Sequence, residues 1–126
     1  LALETRAGTI PKALGNLSAL VSLWLTNNSL EGFIPPELGK LAALSELILH
    51  GNQLTGEMSA GLGALNKLTW LDLSDDQLPR AIPKELGDLT ELEELWLSFN
   101  QLRGPIPPEL GNLGALKALS LEVNEL

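Results

Sequence analysis

Leucine returns in this chain with a period of 24 residues, and this repeat restricts the fold more than any other feature of the sequence. The columns that hold leucine in all five units begin at Leu14, Leu17, Leu20, Leu23, Leu25 and Leu30. A repeat of this length is one small structural unit that buries its apolar side chains only by stacking on its neighbours. We therefore predict a solenoid of stacked units.

Each unit is predicted to contribute one short strand. In the first unit, Leu23 and Leu25 flank Trp24, which is the period-two alternation of a strand with one buried face. The rest of a unit is long enough for a crossover, so successive strands are expected to lie parallel and side by side. A glycine such as Gly15 follows the first leucine column in every unit, where we expect a turn without room for a side chain.

The repeat predicts a single array over residues 1–126. Residues 1–9 are expected to form a degenerate partial repeat, followed by repeats from 10, 34, 58 and 82 and a truncated one from 106. Uncapped ends would leave leucines in contact with water, so we expect a fragment of a longer array or ends that associate with another chain. In the repeat from 58, Pro79 and Arg80 depart from the pattern, and we expect a displaced turn there.

An asparagine column is predicted to form a structural ladder. It consists of Asn28, Asn52, Asp76, Asn100 and Asn124. An amide both donates and accepts, so it can satisfy turn backbone in its own unit and the next. Asp76 cannot donate when ionised, and we predict a weak rung at that position.

The repeated pattern LxxLxxLxLxxNxLxGxIPxxLGxL, followed from Ile10 to Leu126, resembles the plant-specific leucine-rich repeat. The resemblance implies an α/β repeat fold, a curved right-handed superhelix with a parallel β-sheet on its concave face and short helical or extended turns on its convex side. Similar proteins include plant receptor-kinase ectodomains and polygalacturonase inhibitors, which are extracellular, and arrays attached to Roco-type GTPases, which are intracellular. The absence of cysteine caps favours a cytoplasmic location, with an extracellular one as the alternative.

The residues between the leucines of the predicted strands should form the concave face, and all three tryptophans of the chain lie among them. The predicted ligand-binding residues are Trp24, Ile48, His50, Trp70, Asp72, Asp75, Glu94, Trp96 and Phe99. Exposed aromatic residues are enriched where proteins grip partners. The alternative is that these side chains only pack across strands and stabilise the sheet.

Charge narrows the class of partner. The concave face is expected to carry six acids against one base, Lys117, and the whole chain has a net charge of -8. We expect a protein or peptide, favoured if basic, and a carbohydrate is an alternative ligand. Nucleic acid would be repelled, and no apolar run is long enough for membrane insertion of this segment.

No catalytic role is predicted. His50, Asp72 and Ser74 are residue types of a hydrolytic triad, yet the predicted surface is open and offers no oxyanion donor. We expect no enzyme activity, cofactor or metal. Glycosylation signals at Asn16 and Asn27 are possible modification sites. The alternative to a recognition module is a scaffold array in a larger protein that associates end to end.

Overall fold

The structure is a computed structural model that describes residues 8–126. Most of the predicted partial repeat, residues 1–7, lies outside the described residues. Short strands and five-residue 3-10 helices alternate along the described chain. The predicted leucine-rich-repeat solenoid is confirmed, because the strands lie parallel in one sheet and the short helical turns connect them.

The main sheet contains one strand from each repeat. Its members, in spatial order, are β1 (Ser22–Trp24), β3 (Glu46–Ile48), β5 (Trp70–Asp72), β6 (Glu94–Trp96) and β7 (Ala118–Ser120). All neighbouring pairs are parallel, and each residue lies opposite the residue one repeat away, as Leu47 does opposite Leu71. The leucine period therefore fixes the register of the sheet.

The helical turns return the chain from one strand to the next. They are the 3-10 helices Lys12–Asn16, Pro36–Lys40, Ala60–Ala64, Lys84–Asp88 and Pro108–Asn112. A proline precedes four of them, and before the third Ser59 Oγ accepts a hydrogen bond from Gly61 N at 3.0 Å. None of the helices in residues 8–126 is long and apolar enough to cross a membrane.

Glycine permits these helices to pack backbone to backbone. A Cβ at Gly87 would lie 2.5 Å from the carbonyl oxygen of Glu109 in the next repeat, and a Cβ at Gly63 would meet Glu85 in the same way. No side chain fits at that separation. The predicted reason for the glycine column is confirmed at these positions.

Leucine fills the interior as the repeat predicts. All column leucines of the repeats from 34, 58 and 82 are only 0–1% exposed. The two end repeats differ, because Leu17 and Leu119 are each 48% exposed. The solvent-exposed apolar surface that we expected at the ends of the array is present in the described residues.

The asparagine ladder connects each repeat to the one before it. Asn52 Nδ2 donates to Leu49 O at 2.8 Å within its own repeat and to Leu25 O at 2.9 Å in the preceding one. Its Oδ1 accepts from Leu30 N at 3.2 Å. The expected link to the following repeat was therefore wrong in direction, because the side chain points back along the solenoid. Asn28, in the first repeat, is exposed. Asn124, in the last repeat, is half-buried and makes the same contacts as Asn52.

Asp76 keeps only part of its rung. Its Oδ1 accepts from Leu54 N at 2.9 Å, while its buried Oδ2 has no partner among the described residues. Desolvation by burial raises the pKa of Asp76 to about 7, although the backbone N–H of Leu54 opposes the shift. The predicted weak rung corresponds to this unpaired oxygen.

A second, smaller sheet was not predicted. It pairs β2 (Glu31–Gly32) with β4 (Gln53–Leu54) on the return side of the repeats. Thr55 N donates to Gly32 O at 2.8 Å. Pro79 occupies the equivalent position in the next repeat, and because proline has no backbone N–H it cannot donate the same hydrogen bond. Arg80 also lacks the positive φ of Gly56 and Gly104, so the turn differs locally as expected. A hollow of about 540 Å³ lies beside it.

Candidate functional site

Two rows of side chains face outward from the main sheet, because the first and third residues of each strand point away from the buried central leucine. The first row is Ser22, Glu46, Trp70, Glu94 and Ala118. The second row is Trp24, Ile48, Asp72, Trp96 and Ser120. Indoles and carboxylates are therefore placed side by side on the concave face.

The three tryptophans lie outside the leucine core. Trp24 is 64% exposed, and Trp70 and Trp96 are half-buried. Trp24 Nε1 donates to Glu46 Oε1 at 3.1 Å, and Trp96 Nε1 donates to Glu94 Oε2 at 2.9 Å. Trp70 Nε1 is buried and has no partner among the described residues. Two indoles are thus fixed by carboxylates, whereas the central one is held by packing alone.

A hollow of about 380 Å³ opens between Trp24 and Trp70, and Thr26 and Ile48 complete its lining. Ile48 is only 8% exposed, so it forms the floor of this hollow instead of presenting a free surface. Trp70 and Trp96 lie on neighbouring strands and are offset from each other by two residues along the strands. The hollow, however, pairs Trp70 with Trp24, which belongs to the strand two places away.

Phe99 lies in the repeat from 82, away from Trp24 on the concave face, and has an unusual backbone conformation. It is 52% exposed and has a φ of 57°, in the left-handed region. Asn27, Asp75 and Val123 at the equivalent positions also have positive φ, between 54° and 58°. Asparagine and aspartate tolerate this region, but it costs a bulkier residue about 1–2 kcal/mol. Phe99 therefore combines backbone strain with exposure to solvent.

The concave face is acidic and sparsely neutralised. Its acids are Glu46, Asp72, Asp75, Glu93, Glu94 and Glu122. The one ion pair on this face in the described chain joins Lys117 Nζ to Glu93 at 2.7 Å, and this hydrogen bond raises the pKa of Lys117. A hydrogen bond from the Ser120 hydroxyl lowers the pKa of Glu122. The concave face therefore carries a negative electrostatic potential.

The residues of the hypothetical triad are neighbours without triad geometry. Ser74 Oγ donates to Asp72 Oδ1 at 2.6 Å, so its proton is directed to the carboxylate and not to His50. Ser74 N donates to the same oxygen at 3.0 Å. Within residues 8–126, no group of three or more histidine, aspartate or glutamate side chains is arranged to hold a metal ion. His50 is a half-buried side chain of the concave face.

Both possible glycosylation sites are accessible. Asn16 is exposed at the end of the first 3-10 helix, and Asn27 is exposed beside the concave face. The backbone N of Asn27 donates to His50 O at 3.0 Å, and its side-chain amide lies against Gly51 of the next repeat. Modification at either position stays a prediction.

Two residues of the site were not among the predicted ligand contacts. Thr26 lines the hollow, and Glu46 fixes the indole of Trp24. Glu46 could have been found from the repeat, because it occupies the same column as Trp70 and Glu94 and must lie beside Trp70 in a parallel sheet. The side-chain rotamers that close the hollow have no such signal in the sequence.

Comparison with known proteins supports the class that the fold defines. The family model described as Leucine Rich Repeat matches residues 19–41 and 91–113. The curated proteins include no match to this chain. The fold and the matched segments together define a leucine-rich-repeat protein.

Several solved structures of plant proteins are similar to this chain. The ectodomain of the receptor kinase GASSHO1/SCHENGEN3 from Arabidopsis thaliana, in complex with CASPARIAN STRIP INTEGRITY FACTOR 2, is 43% identical with a TM-score of 0.93, over 94% of this chain and 14% of that one. The Arabidopsis receptor kinase HAESA, in complex with the peptide hormone IDA and the co-receptor SERK1, is 38% identical with a TM-score of 0.90, over 94% and 20%. A plant ice-binding protein is 38% identical with a TM-score of 0.88, over 94% and 38%.

These likenesses agree with the repeat pattern at the level of sequence and of structure. The present chain spans well under two thirds of the length of each of these three proteins. It belongs to the leucine-rich-repeat proteins of the plant-specific type.

Proposed function

We propose that this chain is a non-catalytic recognition module that binds a protein or peptide on its concave face. The observation that carries the proposal is the exposure of Trp24 and Phe99 beside a core that, in residues 8–126, consists of leucine, a few isoleucines and one methionine and contains no aromatic residue. Large aromatic side chains left in water contribute little to folding, and Phe99 adopts a strained backbone besides. Such residues are typical anchors of protein interfaces.

The solved relatives support the same class of function. The HAESA structure contains the peptide hormone IDA, and the plant peptide hormone receptor RGFR1, another similar structure, is in complex with RGF2. The similarity to an ice-binding protein shows that one repeat fold serves unrelated functions, so the function of this chain depends on its concave residues and not on the fold. The acidic surface favours a basic polypeptide, with a carbohydrate as the alternative ligand.

The experiment is selection of peptide ligands from a displayed random library, followed by titration of the best peptide against variants. Trp96→Ala is expected to weaken binding by about 2 kcal/mol, roughly thirtyfold in Kd, while unfolding free energy changes by less than about 1 kcal/mol. Phe99→Asn is expected to weaken binding while raising stability by about 1 kcal/mol, because asparagine tolerates the left-handed backbone. Weaker binding together with higher stability in Phe99→Asn would distinguish a residue that contacts the ligand from one that packs within the fold.

A peptide that binds Trp24→Ala, Trp96→Ala and Phe99→Asn as tightly as the parent chain would contradict the concave site. The matched control is Gln101→Ala, because Gln101 is exposed on the return side and should change neither quantity. A set of selected peptides that compete with one another but bind independently of Trp24, Trp96 and Phe99 would place recognition on another surface.

A scaffold role is the second candidate. The half-exposed leucines Leu17 and Leu119 lie at opposite ends of the described array and favour stacking against further repeats or a second copy. Light scattering over a range of concentrations tests self-association, and Leu17→Glu should abolish it. A constant monomer mass at every concentration would exclude association of this chain through its ends.

A further inference from the structure

The hollow between Trp24 and Trp70 has two aromatic walls. These indoles stand on β1 and β5, which are separated by β3, so their backbones lie about 10 Å apart across the sheet. A cation placed between them would lie within about 6 Å of both rings, the range of cation–π attraction. The buried Ile48 supplies an apolar floor.

A carboxylate that is not itself part of the lining lies next to both indoles, because Glu46 is opposite Trp70 in the sheet register and accepts a hydrogen bond from Trp24. Glu46 lies on the central strand β3, and its Oε1 accepts from Ser22 Oγ at 2.9 Å and from Trp24 Nε1 at 3.1 Å. Both bonds end on the same oxygen, and no hydrogen bond within the described residues reaches Oε2. None of the ion pairs in residues 8–126 involves Glu46. A half-buried carboxylate with one free oxygen is thus held ready for a donor from outside the chain.

On these grounds we propose that the hollow bounded by Trp24, Ile48 and Trp70 is a subsite for a lysine or arginine side chain of the bound polypeptide, with Glu46 as its counter-ion. This inference rests on the proposed function and names the chemistry of one contact. The alkyl stem of the ligand residue lies on Ile48 between the indoles, and its charged end donates to Oε2 of Glu46.

Other side chains fit the hollow less well. An acidic ligand residue would face Glu46 and the negative ring faces of the indoles. A purely apolar residue would fill the space but leave the free carboxylate oxygen partly desolvated without a donor. The shape and the charge of the hollow together favour a long basic side chain.

The test uses blocked pentapeptides, acetyl-Gly-Gly-X-Gly-Gly-amide, in which X is lysine, arginine, norleucine or glutamate. Binding to the full chain is followed by NMR through the indole N–H signals of the three tryptophans. Lysine or arginine is expected to shift the signals of Trp24 and Trp70 with a Kd on the order of 1 mM, while Trp96 is unaffected. Norleucine matches the stem of lysine without its charge and is expected to bind about tenfold more weakly.

Glu46→Gln retains an oxygen that accepts from Ser22 and Trp24 but removes the charge, and it should weaken the lysine peptide about tenfold. Glu122→Gln is the matched control, because Glu122 also accepts from a serine hydroxyl but lies outside the hollow. Equal binding of the lysine and norleucine peptides, or a Glu46→Gln variant that binds as the parent chain does, would overturn the subsite. Absence of any shift at Trp24 and Trp70 would also overturn it.

Failure of this subsite is distinguishable from failure of the proposed function. If library-selected peptides bind through Trp96 and Phe99 but contain no basic residue, the recognition face stands and the subsite is wrong. If the selected peptides ignore every concave variant, the recognition face itself is wrong.

Discussion

Asp76 is the residue at which the repeat departs most clearly from its own pattern. Four members of its column are asparagines, and each of their amides donates to two or three backbone carbonyls. The carboxylate at Asp76 accepts the hydrogen bond from Leu54 N, but its second oxygen is buried without a partner. Burial raises the pKa of Asp76 to about 7, since the protonated acid loses less hydration than the charged form.

Asp76→Asn should therefore stabilise the protein, and more at high pH than at low pH. In the unfolded chain, Asp76 has its ordinary pKa of 3.8 and loses its proton near that pH. Because the pKa is raised in the folded protein, the folded state keeps this proton to a higher pH. The stability contributed by this proton is present below pH 3.8 and is lost as pH rises through about 7. We expect a gain of about 1–3 kcal/mol in unfolding free energy at about pH 8 and a smaller gain at about pH 5.

Urea unfolding of both chains at the two pH values measures this difference. Asn100→Asp is the reciprocal control, because it places the same carboxylate in an equivalent buried rung and should reproduce the loss. A stabilisation by Asp76→Asn that is the same at both pH values would show that Asp76 stays ionised in the folded protein.

At the scale of secondary-structure elements, the close contact between successive 3-10 helices is the feature that restricts the sequence most directly. The helices Lys84–Asp88 and Pro108–Asn112 approach so closely that Gly87 faces the backbone carbonyl of Glu109. Gly111 occupies the same column in the last repeat, where nothing lies within 4 Å of an added Cβ. One column thus offers both a crowded glycine and an unconstrained one.

Gly87→Ala is expected to lower the unfolding free energy by about 1–3 kcal/mol, because the added methyl group forces two rigid backbones apart. Gly111→Ala should be neutral or slightly stabilising, since alanine restricts the unfolded chain and meets no neighbour. Thermal unfolding of the pair checks this prediction. Equal destabilisation by both variants would mean that backbone conformation, and not packing between repeats, selects glycine here.

The main sheet could be predicted from the sequence because its signal is repeated in every unit. The alternation of Leu71 and Leu73 around one outward residue identifies the strand, and the constant period sets its neighbours. The small sheet of β2 and β4 was missed, since two-residue strands carry no detectable alternation. The left-handed column was recognisable in principle from Asn27, Gly51 and Asp75, whose residue types favour positive φ.

The candidate site was predictable only in outline. The repeat indicated that Trp70 and Trp96 face outward, and the structure places both on the concave rows. It could not indicate that Ile48 lies buried beneath Trp24, or that Glu46 and Glu94 would each hold an indole N–H. These features depend on rotamers of neighbouring side chains, which have no period.

At the scale of the whole molecule, two sets of residues have separate tasks. The column leucines of the central repeats form one dry interior, and each contributes about 1.5–3 kcal/mol through burial. The aromatic and acidic residues of the concave rows lie outside that interior and are available to a partner. Recognition could therefore change by substitution on the rows while the fold stays constant.

Urea unfolding of Trp24→Ala and Leu71→Ala tests this separation most directly, because both residues belong to the main sheet and lie two strands apart. Leu71 is 0% exposed and Trp24 is 64% exposed. Leu71→Ala is expected to lower the unfolding free energy by about 2–5 kcal/mol, and Trp24→Ala by less than about 1 kcal/mol. A loss at Trp24 as large as that at Leu71 would contradict the account, because the tryptophan would then belong to the core.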